Sequence, residues 1–321
     1  MNDLLATLSA AHFGAFTAHD AYDCGYNRES LSQLVRSGRA LRVGPSAYVD
    51  RNRYAAASPE RQHEMTTRAV VRTFDGRVYA SHYSALTLMS LPIFGAPLDH
   101  IHVTRTADSL SRRRPGLSIH TAYGPGAGLL IGRTPSVTAA LAILGAAMTC
   151  GIETGVVAAD AALANGKAKM DDLQTWLGRL SRHPKVTHAR QVVQLADARS
   201  ESVGESRTRL LLNAIGFRPT PQVEIRHPQG RLVGRVDFLL ERERIIVEFD
   251  GLLKYAGADG REALAAEKSR EDRLRAWLRV READVGGSVP AGDGRTSDAT
   301  GRCTGSRSAR HLSTDLAGQY T

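Results

Sequence analysis

The pattern of apolar and polar positions over the first fifty residues predicts three short helices followed by a hairpin. Thr17 and Asn27 are placed to cap the second and third helices, and Gly25 and Gly38 are placed to end them. After Gly38, two short apolar runs flank a Gly-Pro-Ser turn, which is typical of a two-stranded hairpin. The predicted helices span residues 4–11, 18–23 and 28–37, and the predicted strands span 40–43 and 47–49.

The third predicted helix is amphipathic. Leu31, Leu34 and Val35 form its apolar stripe, and polar and basic residues occupy the other side. Three helices followed by a hairpin is the order of a winged helix, a variant of the helix-turn-helix that binds DNA. A small helical domain that binds protein is the alternative. The predicted DNA-binding residues lie on this helix or just beside it: Asn27, Arg28, Ser32, Arg36, Arg39 and Arg42.

The middle of the chain is predicted to be a mixed α/β segment followed by a helical region. The apolar run 137–148 is too short to span a bilayer and indicates a buried helix. Ser111–Pro115 is a compact basic loop that either meets phosphates or is simply solvated. The predicted elements are helices at 59–74 and 85–89, strands at 101–104 and 117–120, and helices at 136–148, 152–164, 170–180, 186–197 and 202–215.

Histidines are frequent in this middle region, but their spacing matches no familiar metal-binding motif. His100 and His102 alternate along a predicted strand, where histidines are more often structural than ligands. We therefore leave the histidines out of the predicted site. The set is His82, His100, His102, His120, His183 and His188.

A second hairpin, over residues 234–255, carries a group of carboxylates. Asp237 begins one apolar strand, and Glu248 and Asp250 end the next, after the β-branched run Ile245–Val247. Side chains alternate along a strand, so Glu248 and Asp250 share a face, and cross-strand pairing can bring Asp237 to it. Converging carboxylates need a cation or a shared proton, and oxygen ligands suit Mg²⁺ or Mn²⁺. The alternative is that these are solvated turn residues.

The predicted helix at 202–215 carries Glu205 and Arg209 one turn apart. This spacing supports a surface salt bridge, and it also lets Glu205 face the hairpin carboxylates. A charged helix is predicted after the hairpin, at 261–279. The segment 283–321 is rich in Gly, Ser, Thr, Arg and Asp and nearly lacks aliphatic residues, so it is predicted to be disordered.

Composition narrows the class of partner. The 321-residue chain has a formal net charge of +9 and a pI of about 9.8. Such a balance favours nucleic acid first and an acidic membrane surface second, although a basic protein need have neither partner. Cys24, Cys150 and Cys303 are far apart, which argues against a structural zinc site and suits a reducing compartment. The N-terminus lacks a signal-peptide pattern, so we expect a cytoplasmic protein with no membrane partner.

Taken together, these motifs resemble those of actinobacterial proteins with an AbiEi-like antitoxin winged helix and a Vsr-like (very-short-patch-repair type) C-terminal domain. The resemblance covers roughly residues 1–278. In the N-terminal part it rests on Gly44-x-x-Ala-Tyr48, Ser81-His82-x-Ser84-Ala85 and Val103-Thr104. In the C-terminal part it rests on Glu205-Ser-Arg-Thr-Arg, Arg235-Val-Asp237-Phe, Val247-Glu248-Phe-Asp250-Gly251, Lys254-Tyr255 and Glu267-Lys268-x-Arg270-Glu-Asp272-x-Leu-Arg275.

The resemblance implies a PD-(D/E)xK nuclease fold in the C-terminal part, with Mg²⁺ or Mn²⁺ bound between strand carboxylates. By this resemblance Asp237 and Glu248 are the metal-binding pair, and Glu205 is the acid carried by a helix. Asp250 stands where the motif has its usual lysine, and would orient the attacking water or complete the metal ligands. Lys254 and Lys268 are the two candidates for the missing ammonium. Besides DNA, a cognate toxin protein is an implied partner.

The chain departs from this family after Ala276. The family continues with a glycine turn, an apolar strand and a final helix, whereas this chain passes directly into a low-complexity tail. The tail resembles translation in an altered reading frame, and an ordinary disordered extension is the alternative. Without the last strand, the sheet has an exposed edge and the nuclease domain is weakened.

The predicted fold is therefore α+β, in four segments. They are a winged-helix DNA-binding domain (1–52), an AbiEi-like mixed α/β and helical middle region (53–198), a truncated Vsr-like domain whose PD-(D/E)xK-like sheet is flanked by helices (199–282), and a disordered tail (283–321). The predicted function is DNA binding with metal-dependent endonuclease or nickase activity. The alternative is an antitoxin-type or transcriptional regulator with an inactive nuclease fold.

Overall fold

The computed structural model describes residues 1–227, 229–242, 244–249 and 312–313. Within these ranges, eleven helices and thirteen strands form a mixed α+β fold with three sheets. The predicted α+β class is confirmed at this level. The chain divides into two compact units, residues 1–203 and 204–321.

The first unit begins with a small module of three helices and three strands. Its antiparallel sheet has the order β1-β3-β2, and the predicted helices and hairpin agree with the observed elements to within one residue. Strand β1 was not predicted, because three residues are too few for an alternating pattern. The elements are α1 (Asp3–Ala11), β1 (Ala15–Thr17), α2 (Ala18–Asp23), α3 (Arg28–Arg36), β2 (Ala40–Gly44) and β3 (Ala47–Asp50).

Capping boxes and an apolar core hold this module together. Thr17 caps α2 with Asp20 as its partner, and Asn27 caps α3 with Ser30 as its partner. Each cap is worth about 1 kcal/mol. The core consists of seven buried residues, each large one contributing about 1.5–3 kcal/mol: Leu5, Phe16, Ala21, Cys24, Leu31, Leu34 and Ala40.

A six-stranded sheet of order β6-β7-β5-β4-β9-β8 follows. Strand β4 runs parallel to β9 and β5 runs parallel to β7, while the other pairs are antiparallel. The predicted basic loop at 111–115 contains an exposed edge strand, β6, because its arginine side chains stay in water while its backbone pairs with β7. The elements of this segment are α4 (Arg51–Ala55), α5 (Pro59–Arg72), β4 (Val78–Ala80), α6 (His82–Leu88), β5 (Ile101–Arg105), β6 (Arg112–Arg114), β7 (Leu117–His120), β8 (Gly128–Ile131) and β9 (Thr134–Val137).

Four helices complete the first unit: α7 (Ala139–Cys150), α8 (Ile152–Ala164), α9 (Met170–Arg179) and α10 (Val186–Leu195). The run predicted as a buried helix from Ser136 begins instead as strand β9, because residues 134–137 pair with β8. Helix α7 itself is apolar all round, and the side chains of residues 139–148 are all buried, as such a helix requires. Its small residues let α8 pack closely, with Gly155 against Ala147.

The second unit packs α11 (Val203–Ala214) and a sheet of order β10-β11-β12-β13. The strands are β10 (Thr220–Arg226), β11 (Leu232–Leu240), β12 (Ile245–Glu248) and β13 (Leu312–Ser313). The predicted hairpin is confirmed as the antiparallel pair β11–β12, up to Phe249. Leu212 on the helix packs with Phe238, Leu240 and Val247 in one buried cluster.

Two predicted segments lie largely outside the residues that the structure describes. The predicted helix at 261–279 lies outside the described residues. So does the predicted tail, 283–321, except for Leu312 and Ser313, whose backbone pairs in parallel with β12. None of the helices found in the described ranges combines the length and apolar character that a membrane crossing requires.

Candidate functional site

The first candidate surface is the polar side of α3. All six residues predicted to bind DNA are solvent-exposed: Asn27, Arg28, Ser32, Arg36, Arg39 and Arg42. The buried Leu31 and Leu34 fix the opposite side of α3 in the module core, so the arginines project into water. Sequence reasoning found this surface because both the cap and the apolar stripe of α3 are local signals.

Two of the six predicted residues, both uncharged, use their side chains in local hydrogen bonds. The Asn27 side chain accepts from the Ser30 backbone N–H at 2.8 Å as part of the α3 cap. The Ser32 hydroxyl donates to the Arg28 carbonyl at 2.8 Å. The arginines therefore supply the chemistry of this surface, although Arg42 also donates through Nε to the Gly44 carbonyl at 3.3 Å.

The second candidate surface is the acidic end of the β11–β12 hairpin. The β11–β12 register pairs Phe238 with Val247, and its continuation sets Asp237 opposite Glu248. Residues opposite one another in an antiparallel pair project to the same face. The Asp237 carboxylate, which lies inside β11 and not at its start as predicted, also accepts a hydrogen bond from the Phe249 backbone N–H at 2.8 Å, and this bond ties β11 to the end of β12. The predicted pair of carboxylates is thus brought together.

Glu205 bonds to β10, the strand next to this hairpin. It is buried on α11 and accepts a hydrogen bond from the side-chain amide of Gln222 at 2.8 Å. Gln222 lies between Pro221 and Val223, whose partners on β11 flank Asp237. Its positive φ of 54° interrupts the regular pairing at this point. The other predicted residues of this site, Asp250, Lys254 and Lys268, lie outside the described residues.

A third cluster, which sequence reasoning left out, consists of three histidines in the first unit. His82 begins α6, His102 lies on β5 and His120 ends β7. The parallel register pairs His102 with Ser118, so His120 lies two residues further along the same face of the sheet. One ligand-type nitrogen from each of the three lies within 4.8 Å of the others.

The contacts inside this histidine cluster are close. His102 Nδ1 and His120 Nε2 are 2.9 Å apart and share a hydrogen bond. The His82 and His120 rings stack with centroids 3.9 Å apart, and the His82 and His102 centroids are 4.9 Å apart. His82 Nδ1 lies 3.0 Å from the Ser81 hydroxyl.

Burial keeps all three imidazoles neutral at physiological pH. It lowers the pKa of His102 to about 3 and that of His120 to about 4, and neighbouring positive charge adds to the effect. Burial also holds the pKa of His82 well below its ordinary value. Neutral imidazole is the form that carries a free lone pair, and it is the form that binds metal ions.

One side of the histidine cluster is open to a cavity of about 760 Å³. His102 and His120 line it, whereas His82 lies behind them. Further side chains that carry oxygen, nitrogen or sulfur also line the cavity. They are contributed by Asp99, His100, Arg112, Arg113, Cys150 and Lys185.

Sequence reasoning missed this cluster because its successive members lie 20 and 18 positions apart, on three different elements. The His100-x-His102 alternation was the one local signal. In the structure His100 bonds instead to the Ser118 hydroxyl at 2.9 Å.

Comparison with known proteins yields only distant similarity. No family model matches the chain. It is 24% identical over 233 residues to "Uncharacterized protein MT2308" of Mycobacterium tuberculosis (strain CDC 1551 / Oshkosh). It matches "Uncharacterized protein Rv2248" of Mycobacterium tuberculosis (strain ATCC 25618 / H37Rv) to the same extent. Each match covers 72% of this chain and 80% of the relative. The chain is thus similar to mycobacterial proteins without an assigned function.

Proposed function

We propose that this chain is a DNA-binding protein whose first 52 residues act as a winged helix. The order helix, strand, helix, helix, strand, strand and the sheet order β1-β3-β2 support the assignment. In this proposal α2 and α3 are the helix-turn-helix pair, α3 is the recognition helix, and the β2–β3 hairpin is the wing.

The observation that carries the proposal is the concentration of exposed arginines on α3 and β2. Arg28, Arg36, Arg39 and Arg42 lie within fifteen positions of one another, and none forms an ion pair in the described part of the chain. Guanidinium groups bind phosphate oxygens through charge-assisted hydrogen bonds, which position a protein on a duplex. The net charge of +9 acts in the same direction by attracting DNA at long range.

Fluorescence anisotropy with a labelled duplex from the chain's own promoter region tests this proposal. The double variant Arg28→Ala/Arg36→Ala should bind roughly ten-fold or more weakly, since each charged phosphate contact is worth on the order of 1 kcal/mol. The matched control is Arg182→Ala/Arg190→Ala, which removes the same charge from exposed positions outside the module. Equal binding by the α3 variant and the wild type would show that α3 is not the reader.

A second candidate function, metal-dependent DNA cleavage, is favoured by the pairing of Asp237 with Glu248. These two carboxylates offer only oxygen ligands, which fits Mg²⁺ or Mn²⁺. When bound, such an ion polarises a phosphate and lowers the pKa of the attacking water. Asp237 and Glu248 would hold it, and the Phe249 N–H would keep the Asp237 carboxylate oriented.

Nicking of supercoiled plasmid, with Mg²⁺ and with EDTA, tests this second function. Asp237→Asn and Glu248→Gln preserve side-chain shape and remove charge, so each should abolish Mg²⁺-dependent nicking. Equal nicking by wild type and both variants would remove the acidic pair from the mechanism. Absence of nicking by the wild type, with DNA binding intact, would favour the antitoxin-type or transcriptional regulator with an inactive nuclease fold.

A further inference from the structure

We propose that His82, His102 and His120 form a binding site for a divalent transition-metal ion, with Zn²⁺ as the expected occupant. The site belongs to the first unit and uses no residue of α3 or of the acidic hairpin. It requires nitrogen ligands, whereas the acidic hairpin offers oxygen ligands. Imidazole suits Zn²⁺, Cu²⁺, Ni²⁺ and Fe²⁺, and it is a poor ligand for Mg²⁺.

The spacing of the ring nitrogens fits a common ion. A Zn–N distance of about 2.0–2.1 Å and tetrahedral angles separate neighbouring ligand nitrogens by roughly 3.3 Å. The ligand atoms of the cluster span separations up to 4.8 Å, and the shortest, between His102 Nδ1 and His120 Nε2, is 2.9 Å. These values lie on both sides of the required separation, so an ion is bound once the rings turn to direct their three lone pairs at it.

The hydrogen bond between His82 Nδ1 and the Ser81 hydroxyl leaves the other ring nitrogen, Nε2, to face the ion. In the metal-bound form that we propose, the ring hydrogen is on Nδ1 and is donated to Ser81. Metal-binding histidines commonly donate their second ring nitrogen to such an acceptor, which fixes tautomer and orientation. His102 Nδ1 and His120 Nε2 share one hydrogen. For both of these nitrogens to bind the ion, the ring that carries this hydrogen changes tautomer, so that the hydrogen is on its other nitrogen. No proton is released.

The backbone is adapted to hold His82 in place. His82 has φ of 53°, in the left-handed region, which costs about 1–2 kcal/mol for a residue with a Cβ. Gly145 on α7 leaves room for the ring, because a Cβ there would lie 3.0 Å from the imidazole carbons. Strain of this kind, at a position fixed by its surroundings, is typical of functional residues.

The cavity supplies the access that a buried ion needs. His102 and His120 line it, so an ion held by the three histidines faces it with its remaining coordination position. Three histidines and one open position, filled by water, is a pattern of accessible zinc sites.

Titration of the full-length, EDTA-treated chain with Co²⁺ tests the proposal. Co²⁺ substitutes for Zn²⁺, and a tetrahedral nitrogen-rich site gives strong visible absorption. We expect one tetrahedral Co²⁺ per chain, a saturable visible band, and loss of the band when Zn²⁺ is added. Absence of the band in the wild type would overturn the proposal, because Co²⁺ would then not occupy a tetrahedral histidine site.

Variants assign the band to these residues. His120→Gln should lower Co²⁺ affinity by roughly 100-fold or more, since loss of even an outer partner of a ligand costs about 10–100-fold. Gly145→Ala keeps all three imidazoles but displaces His82, so it should also weaken binding. His19→Gln, which changes an exposed histidine, is the control. A band of unchanged affinity in His120→Gln, or a weak octahedral spectrum in every variant, would locate the ion elsewhere and contradict the proposal.

Discussion

The ion pair between Asp20 and Arg72 offers the sharpest test of how the N-terminal module is held. Asp20 on α2 is buried, and Arg72 on α5 donates to it through Nε at 2.6 Å and through Nη2 at 2.5 Å. The same carboxylate accepts from the Thr17 backbone N–H and hydroxyl, each at 2.8 Å. Asp20→Ala therefore removes a bidentate ion pair and half of the α2 capping box in one step.

The loss in the free energy of unfolding can be estimated from these contacts. Removing one partner of a fully buried ion pair costs about 3–5 kcal/mol, because the other charge stays buried. The Arg72 side chain is 33% exposed, so its guanidinium is partly hydrated after the carboxylate is removed. We therefore expect the loss of the ion pair to cost about 2–3 kcal/mol. The broken capping box adds about 1 kcal/mol. The expected loss in the free energy of unfolding is about 3–4 kcal/mol, or roughly 6–16 °C in Tm.

Urea unfolding followed by circular dichroism measures this loss. The control is Asp23→Ala on the same helix, where the side chain is 63% exposed and only a 3.6 Å contact to His19 is lost. That change should stay within about 0.5 kcal/mol of wild type. A loss below about 1 kcal/mol for Asp20→Ala would refute the reasoning, because the pair would then not anchor α2 to α5.

The same pair predicts a dependence on pH. Burial alone would raise the pKa of Asp20, but hydrogen bonds from Arg72 and Thr17 outweigh it and hold the pKa below its ordinary value. A carboxylate with a lowered pKa in the folded state stabilises the fold above its unfolded pKa, about 3.9. That stabilisation is lost as the pH falls through the lower, folded pKa. The stability difference between wild type and Asp20→Ala should therefore shrink below about pH 4.

Two further predictions concern packing in each unit. In the first, Gly155→Ala should destabilise by about 1–3 kcal/mol, because its methyl would lie 2.5 Å from Val192 Cγ2 and 2.7 Å from Ala147 Cβ. Gly178→Ala is the control: its methyl would have nothing within 4 Å, so it should stabilise by about 0.5–1 kcal/mol. Urea unfolding that showed Gly155→Ala to be the more stable variant would contradict this account of the packing. In the second, Phe238→Ala should cost about 3–5 kcal/mol because Phe238 is fully buried, while Leu232→Ala, at a half-exposed position, should cost far less. Equal losses would show that the buried cluster around Leu212 and Phe238 does not dominate the stability of this unit.

Local signals in the sequence account for what could be predicted. Helix α3 was predicted because Asn27 caps it and Leu31 and Leu34 recur at helical spacing. The β11–β12 hairpin was predicted because a β-branched run follows a charged turn. In both cases the residues that determine the element lie within about fifteen positions of one another.

Features that depend on distant pairing were missed or misplaced. Strand β1 exists because its three residues pair with β3, and β10 contains Pro221, which obscures an otherwise alternating pattern. The apolar run after Pro135 has no periodic signal that separates β9 from α7, so the helix start was predicted too early. The histidine cluster depends entirely on the parallel pairing of β5 with β7 and on α6.

The salt dependence of DNA binding tests the central claim most directly. Each phosphate contact that is lost should reduce the slope of log K against log salt by about 0.9. We predict that Arg28→Ala/Arg36→Ala has a slope shallower than wild type by roughly 1.8, while Arg182→Ala/Arg190→Ala keeps the wild-type slope. Identical slopes for wild type and the α3 variant would contradict the account, because the arginines of α3 would then make no contact with the DNA backbone.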